Sequence, residues 1–260
     1  MGSATTQALT ASAAALASAQ VDLGTARELF AAARAAGESS ALSGALADHT
    51  AAADARSALV GTVFGSFSTA TQGILQTVAE QRWSSSADLV SGIEEIAIRA
   101  VAQSDSSDVE GELFQLTRII AGNPELELAL GSRLGDASKK GELIERILDA
   151  QVSEGTLLVA TSIVQQPGDR RIRTALHHAI SVVAAERGLT VATVHVATPL
   201  SDAQADRLAD ALSRSYGTRV SINQVVDRDV VGGIRVQIAD DVIDGSISSR
   251  LADLRSRLAG

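Results

Sequence analysis

The apolar residues of this 260-residue chain follow a helical period over most of its length and a period of two after Gly188. Between Thr5 and Gln103 they recur every three or four positions, which predicts five or six amphipathic helices. Ser85 or Ser86 is suited to cap the last of them. Aromatic residues make up only 2% of the chain and alanine is abundant, which favours slender, closely packed helices. We therefore expect a helical bundle.

A second helical stretch follows a polar segment, 102–111, which we interpret as a linker. Residues 36–65 can be laid over residues 121–149 with a shift of about 84 positions. The overlay matches three pairs of leucines: Leu42 with Leu126, Leu46 with Leu130, and Leu59 with Leu143. Two explanations remain open, an internal duplication of one helical unit or the similarity that alanine-rich helices share by composition.

Past Gly188, alternating side chains predict β structure. The segment 189–201 is predicted to be a strand that is closed by Pro199 and presents one apolar face, made of Ala192, Val194 and Val196. Ser201 and Gln204 have the spacing of a capping box and open a helix that should stop at Gly217.

Two further strands are predicted at 218–226 and 232–240, and the apolar face of the third consists of Ile234, Val236 and Ile238. A final helix is predicted from its apolar stripe, Ile247, Leu251, Leu254 and Leu258. The predicted fold class is therefore α+β: a mainly helical N-terminal bundle, with a duplicated helical unit as one option, followed by a small βαββα domain. The predicted boundaries are 1–104, 105–187 and 188–260.

The stretch 230–251, VVGGIRVQIADDVIDGSISSRL, is rich in acids and glycines and raises the question of a metal or phosphate site. Its acids lack the spacing and the distal Glu of a calcium loop, and its glycines lead into a strand rather than a helix. We interpret these residues structurally. Asp227 and Asp229 flank a turn, and Gly232 and Gly233 form a bulge or a close approach. Asp240 and Asp241 are predicted in the loop before the last helix, with Asp244 or Ser246 as its cap.

Catalytic and cofactor chemistry finds no support in the sequence. The chain has no cysteine, and its histidines, His49, His177, His178 and His195, include no HExxH pair. No nucleophile elbow or facing pair of carboxylates is present. We predict no catalytic, cofactor-binding or metal-binding residue. The few large aromatics, Phe30, Phe64, Phe67 and Trp83, suit partner anchors by type, but we expect them in the core.

The net charge of −9 argues against sequence-independent binding of nucleic acid, which depends on Lys and Arg. No apolar run approaches the length of about 18 residues needed to span a bilayer, so we expect no direct membrane insertion. Partner proteins are favoured over lipids and nucleic acids.

The C-terminal third resembles the delta subunit of bacterial F-type ATP synthases, which is related to the mitochondrial oligomycin-sensitivity-conferring protein. The resemblance rests on VHVATPLSDAQADRLADAL and VDRDVVGGIRVQIADDVIDGSISSRLADL, and it extends upstream to NPELELALGSRLGDASKKGELIERIL with its basic pair, Lys139 and Lys140. Ala239 stands where the family commonly has Gly. The chain is also longer than usual at its N-terminus, as in actinobacterial members.

This resemblance implies a non-catalytic stator subunit of the proton-translocating ATP synthase, with no cofactor. The N-terminal helical part would bind the alpha and beta subunits of the catalytic head, and the C-terminal domain would bind the b-subunit stalk. The expected location is the cytoplasmic face of the bacterial cell membrane, as a peripheral part of the complex. The alternative is a general helical adaptor or regulatory protein whose small α+β domain binds a ligand.

Overall fold

The computed structural model describes residues 2–132, 135–148, 151–227, 230, 232–238 and 241–245. Two compact units divide the chain, with the boundary between Val183 and Ala184. The division lies close to the predicted start of the C-terminal domain at residue 188, and the predicted boundary at 104/105 falls inside the first unit. The α+β class is confirmed, because helices precede a small mixed sheet.

The described residues up to Glu186 form α-helices joined by short connections. They are α1 (Ser3–Ser18), α2 (Leu23–Glu38), α3 (Ser40–Ala47), α4 (Ala53–Val63), α5 (Thr69–Glu80), α6 (Ser86–Ser104), α7 (Val109–Ala121), α8 (Pro124–Gly131), α9 (Ala137–Leu148), α10 (Glu154–Gln165) and α11 (Ile172–Glu186). The first six agree with the five or six helices predicted before residue 104.

Short polar side chains begin many of these helices. The Ser85 hydroxyl accepts a hydrogen bond from the Asp88 backbone N–H at 3.1 Å, which confirms the predicted cap. Asp22 caps α2 in the same way, accepting from the Thr25 N–H at 2.7 Å. Such side chains satisfy backbone donors that have no partner within the helix, so they fix where each helix starts.

The central helix of the first unit is α6, which packs against α1, α2, α3, α5 and α10. Its buried residues lie on nearly every side: Leu89, Gly92, Ile93, Glu95, Ile96, Ala97, Ile98, Ala100, Val101 and Ala102. A helix that is apolar on most sides is stable only when it is surrounded by other helices. This burial explains why the sequence around α6 is rich in β-branched and small residues.

The predicted linker is a short connection between α6 and α7. Asp105 Oδ1 accepts from the Ser107 N–H at 2.8 Å, and its Oδ2 accepts from the Gly155 N–H at the start of α10 at 2.9 Å. Burial by itself raises the pKa of Asp105, but these and neighbouring hydrogen bonds outweigh it and the pKa is lowered. The connection is therefore tied to the helical unit.

In its described residues, the second unit contains a four-stranded mixed sheet and the helix that connects its first two strands. Its elements are β1 (Leu189–Val196), α12 (Asp202–Tyr216), β2 (Arg219–Val226), β3 (Ile234–Ile238) and β4 (Asp241–Asp244). The strand order is β2-β1-β3-β4; β1 pairs parallel with β2 and antiparallel with β3, and β3 pairs antiparallel with β4. A parallel pair needs a crossover, which α12 supplies.

One face of this sheet forms the core of the second unit. Ala192, Val194 and Val196 are at most 1% exposed, as their alternation predicted, and they pack with Leu212 of α12. The Oε1 of Gln204 accepts from the Ser201 N–H at 2.9 Å, which confirms the capping box. Gly217 ends α12 at a φ of 71°, a left-handed conformation that glycine adopts without strain.

The fourth strand was not predicted. Asp241–Asp244 pairs along β3 with the register Arg235 opposite Asp244 and Ile238 opposite Asp241. The prediction that Asp241 lies in the loop before the last helix is therefore wrong, because Asp241 begins β4; Asp244, one of the two predicted caps of that helix, is the last residue of the strand. The predicted last-helix stripe, Ile247, Leu251, Leu254 and Leu258, lies outside the described residues, as do Asp229, Asp240 and Ser246.

Candidate interaction surfaces

Asp227 belongs to one of the segments that carry the family resemblance; it directly follows β2 and forms a polar cluster on the sheet. Its Oδ2 is 3.3 Å from His195 Nδ1 on β1 and 3.4 Å from an Arg235 guanidinium nitrogen on β3. The register explains the cluster, because His195 lies directly opposite Arg235 and Asp227 directly follows β2. Asp227 therefore joins three strands and does not merely form a turn.

Gly232 and Gly233, the two glycines just before β3, both have a positive φ, 68° at Gly232 and 80° at Gly233. Residues with a Cβ are strained in this region, so the backbone itself requires glycine here. The structure thus gives a conformational reason for the glycines that the sequence analysis interpreted as a bulge or close approach. Pro199 is exposed in the connection from β1 to α12.

His177 and His178 are adjacent on α11. His178 Nε2 is 3.7 Å from the Glu95 carboxylate on α6, and Glu95 also pairs with Arg99 at 2.8 Å. Burial, with a smaller contribution from Arg173, lowers the pKa of His177. Among the described residues, no three His, Cys, Asp or Glu side chains converge as metal ligands would.

Most of the large aromatic side chains belong to the core, as predicted. Phe30, Phe64 and Trp83 are 3% to 4% exposed, and the Trp83 indole N–H donates to the Val78 carbonyl at 2.9 Å. Phe67 is half-buried and stacks on Phe64 with a centroid distance of 5.3 Å. The three buried rings are therefore unavailable as anchors for a partner in this structure.

Glu28 on α2 holds the start of α5, a contact that the sequence analysis missed. Its carboxylate accepts from the Ser68 N–H at 3.0 Å, the Ser68 hydroxyl at 2.7 Å and the Thr71 hydroxyl at 2.5 Å. Partial burial raises the pKa of Glu28, but the hydrogen bonds from Thr71 and Ser68 outweigh burial and lower it. Charge-assisted bonds of this kind are among the stronger hydrogen bonds in proteins.

Glu112 on α7 makes the same set of contacts with the start of α10. Its Oε2 accepts from the Ser153 N–H at 2.9 Å, the Ser153 hydroxyl at 2.7 Å and the Thr156 hydroxyl at 2.5 Å. Glu112 follows Glu28 by 84 positions (112 minus 28), and Ser153 follows Ser68 by 85 (153 minus 68). The same polar contact, with the same types of donor, therefore occurs once in each helical stretch.

A buried basic residue also recurs. Arg56 on α4 donates to four backbone carbonyls, those of Asp48, Ala51, Ala79 and Glu80, at 2.7 to 2.9 Å. Lys140 on α9, 84 positions later (140 minus 56), is 8% exposed, and its Nζ donates to the Ser132 carbonyl. Since Ser132 is likewise 84 positions after Asp48 (132 minus 48), both cations hold the same loop of their unit.

The buried positions follow the same shift. The buried residues of α2 are Thr25, Ala26, Leu29, Phe30, Ala32, Ala33 and Ala36, and those of α7 are Val109, Glu110, Leu113, Phe114, Leu116, Thr117 and Ile120, each 84 positions later. Of the leucine pairs, Leu46 and Leu130 are both buried, and the members of the other two pairs are all half-buried. Because Glu28 and Glu112, like Arg56 and Lys140, are 84 positions apart, the shift seen in the sequence could have identified each pair as equivalent residues.

We propose that these two sets of helices are two copies of one unit, called here the first repeat (α1–α5) and the second repeat (α6–α10). Composition alone would make alanine-rich helices alike, but it would not place the same carboxylate on the same cap or a cation on the same carbonyl. Both copies lie in one compact unit. The predicted boundary at 104/105 would then fall inside the second repeat, between α6 and α7.

A protein family and several individual proteins are similar to this chain. Residues 95–258 match the family described as "ATP synthase delta (OSCP) subunit". ATP synthase subunit delta of Leifsonia xyli is 44% identical over 264 residues, covering all of both chains. The corresponding subunit of Nocardia farcinica is 39% identical over 90% of this chain and 89% of its own, and that of Thermobifida fusca is 37% identical over 83% and 82%.

Among solved structures, a chain in the cryo-EM structure of the Toxoplasma gondii mitochondrial ATP synthase hexamer is similar to 64% of this chain and 96% of its own length, with 18% identity and a TM-score of 0.39. The family match begins at residue 95, whereas the Leifsonia relative aligns over the whole length. The first repeat is therefore shared with that relative although the family match does not include it.

Proposed function

The chain belongs to the ATP synthase delta (OSCP) subunit family, and from this premise we propose that it is a peripheral-stalk subunit of the proton-translocating F-type ATP synthase. It links the catalytic head to the stalk and resists the torque of the rotor during ATP synthesis. The observation that carries this function is the 44% identity to a delta subunit over the full length of both chains. ATP chemistry then belongs to the head, and this subunit supplies no catalytic residue.

A subunit in this role transmits force, so it needs a stiff body and extensive interfaces. Stiffness is supported by the two carboxylate contacts, because Glu28 ties α2 to α5 and Glu112 ties α7 to α10. Arg56 adds a buried connection between the α3–α4 loop and the end of α5. Interfaces that hold under load are expected to bury more than roughly 1,000 Å² each.

We propose that the helical unit binds the alpha and beta subunits of the head and that the sheet domain binds the b subunit. An amphipathic helix of a partner can lie on a bundle surface with its apolar stripe in contact. The sheet domain offers exposed apolar residues on β4, where Val242 is 59% and Ile243 47% exposed. Such residues on a short edge strand are suited to contact another protein.

We place the subunit at the cytoplasmic face of the bacterial cell membrane, held there through the complex. In the described part of the chain, no helix combines the length and apolar character needed to cross a membrane. The net charge of −9 also gives no attraction to an anionic lipid surface. Attachment through partner subunits is consistent with both observations.

The experiment that tests this function is purification of the tagged full-length chain from its host under mild conditions. We expect the alpha, beta and b subunits to co-purify in fixed stoichiometry. Depletion of the chain should leave a head that hydrolyses ATP without pumping protons, because a head without its stator turns with the rotor. Recovery of the chain without any ATP synthase subunit would contradict the proposed function.

A further inference from the structure

A cavity of about 290 Å³ lies in the helical unit, between α1, α6 and α11. The stripe of α6 that lines it runs from Asp88 to Glu95, and Leu9 of α1 and Thr174 and His178 of α11 line it as well. Ligand pockets in proteins have volumes of roughly 300 to 1,000 Å³, so this cavity has the size for a small molecule.

The most buried charged group of the cavity is the Glu95 carboxylate, whose side chain is only 8% exposed. Arg99 holds one of its oxygens, because the guanidinium donates to Oε1 at 2.8 Å and 3.2 Å. The other oxygen, Oε2, accepts no hydrogen bond from any residue in the described part of the chain, and His178 Nε2, at 3.7 Å, is too far away to form one. A buried carboxylate oxygen without a donor is unfavourable, so Oε2 is a binding point for a ligand that brings an N–H.

A second carboxylate lines the other end of the same α6 stripe. Asp88 precedes Glu95 by seven positions, which places both side chains on one face of the helix, about 10 Å apart along its axis. One Asp88 oxygen, Oδ2, accepts from the Ser85 hydroxyl at 2.9 Å, and Oδ1 remains for a further donor. Between the two carboxylates the cavity is lined by Ser91 and Gly92, so the middle of the stripe is small and uncharged.

The charges around the cavity favour a cation. Counted with their ion-pair partners, they are three carboxylates, Asp88, Glu94 and Glu95, and two guanidinium groups, Arg99 and Arg170. Helix α1 adds no charged residue. Since Arg99 and Arg170 are each paired with a neighbouring glutamate, the excess is one negative charge, and an anionic ligand would meet it without compensation.

We propose that this cavity binds a short linear diamine, with one ammonium group on Glu95 Oε2 and the other on Asp88. An ammonium group has three N–H donors, so at the Glu95 end it also donates to a neutral His178 imidazole. The alkyl chain lies along Gly92 and Leu9. A ligand with one amine reaches only one of the two carboxylates. The ligand class is therefore an aliphatic diamine or polyamine, and this site is separate from the stator function because it uses only residues of the helical unit.

The test measures binding of putrescine to the purified full-length chain by isothermal titration calorimetry at low salt, because salt screens exposed charges. The control ligand is n-butylamine, which has the same alkyl chain and a single amine. We expect putrescine to bind at least about five-fold more tightly, since it forms a second charge-assisted hydrogen bond. Asp88→Asn should remove this advantage and leave the binding of n-butylamine unchanged. The variant keeps the cap of α6, because the Ser85 hydroxyl accepts from the backbone N–H of residue 88 at 3.1 Å.

A second pair of variants tests the location. Thr174→Trp places a bulky side chain in the cavity, and Ser181→Trp is its matched control on the same helix, at a position that does not line the cavity. Both residues are exposed, so neither change should lower the unfolding midpoint. We expect Thr174→Trp to bind both amines at least about ten-fold more weakly, which corresponds to about 1.4 kcal/mol, and Ser181→Trp to bind them as the wild type does.

Four results would overturn the proposal. They are no binding of putrescine by the wild-type chain at millimolar concentrations, an undiminished preference for putrescine in Asp88→Asn, wild-type binding by Thr174→Trp, and loss of binding in Ser181→Trp. Wild-type binding by Thr174→Trp would show that the amine is held elsewhere, through the net charge of −9. All of these measurements use the isolated chain, so none of them bears on the stator function.

Discussion

Glu28 and Thr71 are 43 positions apart in the chain, yet the Thr71 hydroxyl donates a 2.5 Å hydrogen bond to the Glu28 carboxylate. The same bond, of the same length, joins Thr156 to Glu112 in the second repeat. In both repeats, a carboxylate on the second helix accepts hydrogen bonds from the residues that begin the fifth helix. This contact fixes two helices that are distant in sequence, and it is the clearest structural sign that the helical part is built twice.

Replacing this carboxylate should weaken the fold. We expect Glu28→Gln to lower the free energy of unfolding by about 1 to 2 kcal/mol, because the neutral amide forms weaker bonds with Ser68 and Thr71. Glu112→Gln should cost a similar amount. Urea unfolding followed by circular dichroism measures both. Glu38→Gln, at the exposed end of α2, is the control, and a Glu28→Gln variant as stable as this control would show that the contact contributes little.

The stabilisation by Glu28 should depend on pH. Its pKa is lowered in the folded chain below the ordinary value of 4.5, so the folded state favours the charged form. The advantage of the wild type over Glu28→Gln is therefore complete above about pH 4.5 and decreases as the pH falls through the lower pKa of the folded chain. Unfolding of both proteins between pH 7 and pH 3 measures this difference. A difference that stays constant or grows with acid would contradict the assignment.

Lys140 should be far more important for stability than its neighbour Lys139. Lys140→Met removes the donor that satisfies the Ser132 carbonyl, and we expect a loss of about 1 to 3 kcal/mol. Lys139 is exposed, so Lys139→Met should change the free energy of unfolding by less than about 0.5 kcal/mol. The two single variants share composition and net charge, which makes them matched controls for each other. Equal stability of the two would exclude a structural role for the buried cation.

Replacing Gly233 with a residue that has a side chain should destabilise the fold. Its φ of 80° is strained for a β-branched residue, so we expect Gly233→Val to cost about 1 to 3 kcal/mol and to weaken b-subunit binding. Gln237→Val places the same side chain at an exposed position of β3, where valine is favoured, and it should be tolerated. Thermal unfolding and pull-down with the b subunit test both variants. Unchanged melting and binding of Gly233→Val would argue against a conformational role for this glycine.

Much of the fold could be predicted because local patterns determined it. The period of the apolar residues located the helices before residue 104, and the capping residues Ser85 and Ser201 marked helix starts that the structure confirms. The alternation at Ala192, Val194 and Val196 identified the buried face of β1. These features depend on neighbours within one turn or one strand, so the sequence carries them directly.

The fourth strand could not be predicted for the opposite reason. Asp241–Asp244 has an acid at each end and all four residues are exposed, so no alternation of buried and exposed side chains marks it. It is a strand because β3 offers it backbone partners, with Gly245 N–H also donating to the Ile234 carbonyl at 2.9 Å. The cluster of Asp227 with His195 and Arg235 depends on the same sheet register and was likewise invisible in the sequence.

The sequence by itself determined the helices, the main strands and the shift of about 84 positions that relates the two helical stretches, because these are written in the spacing of side chains along the chain. Only the tertiary structure decided which carboxylate meets which cap, and that α2 of one repeat covers α6 and α10 of the other. Those outcomes depend on contacts between residues tens to more than a hundred positions apart, and such contacts are chosen by the packing of the whole helical unit rather than by any local pattern.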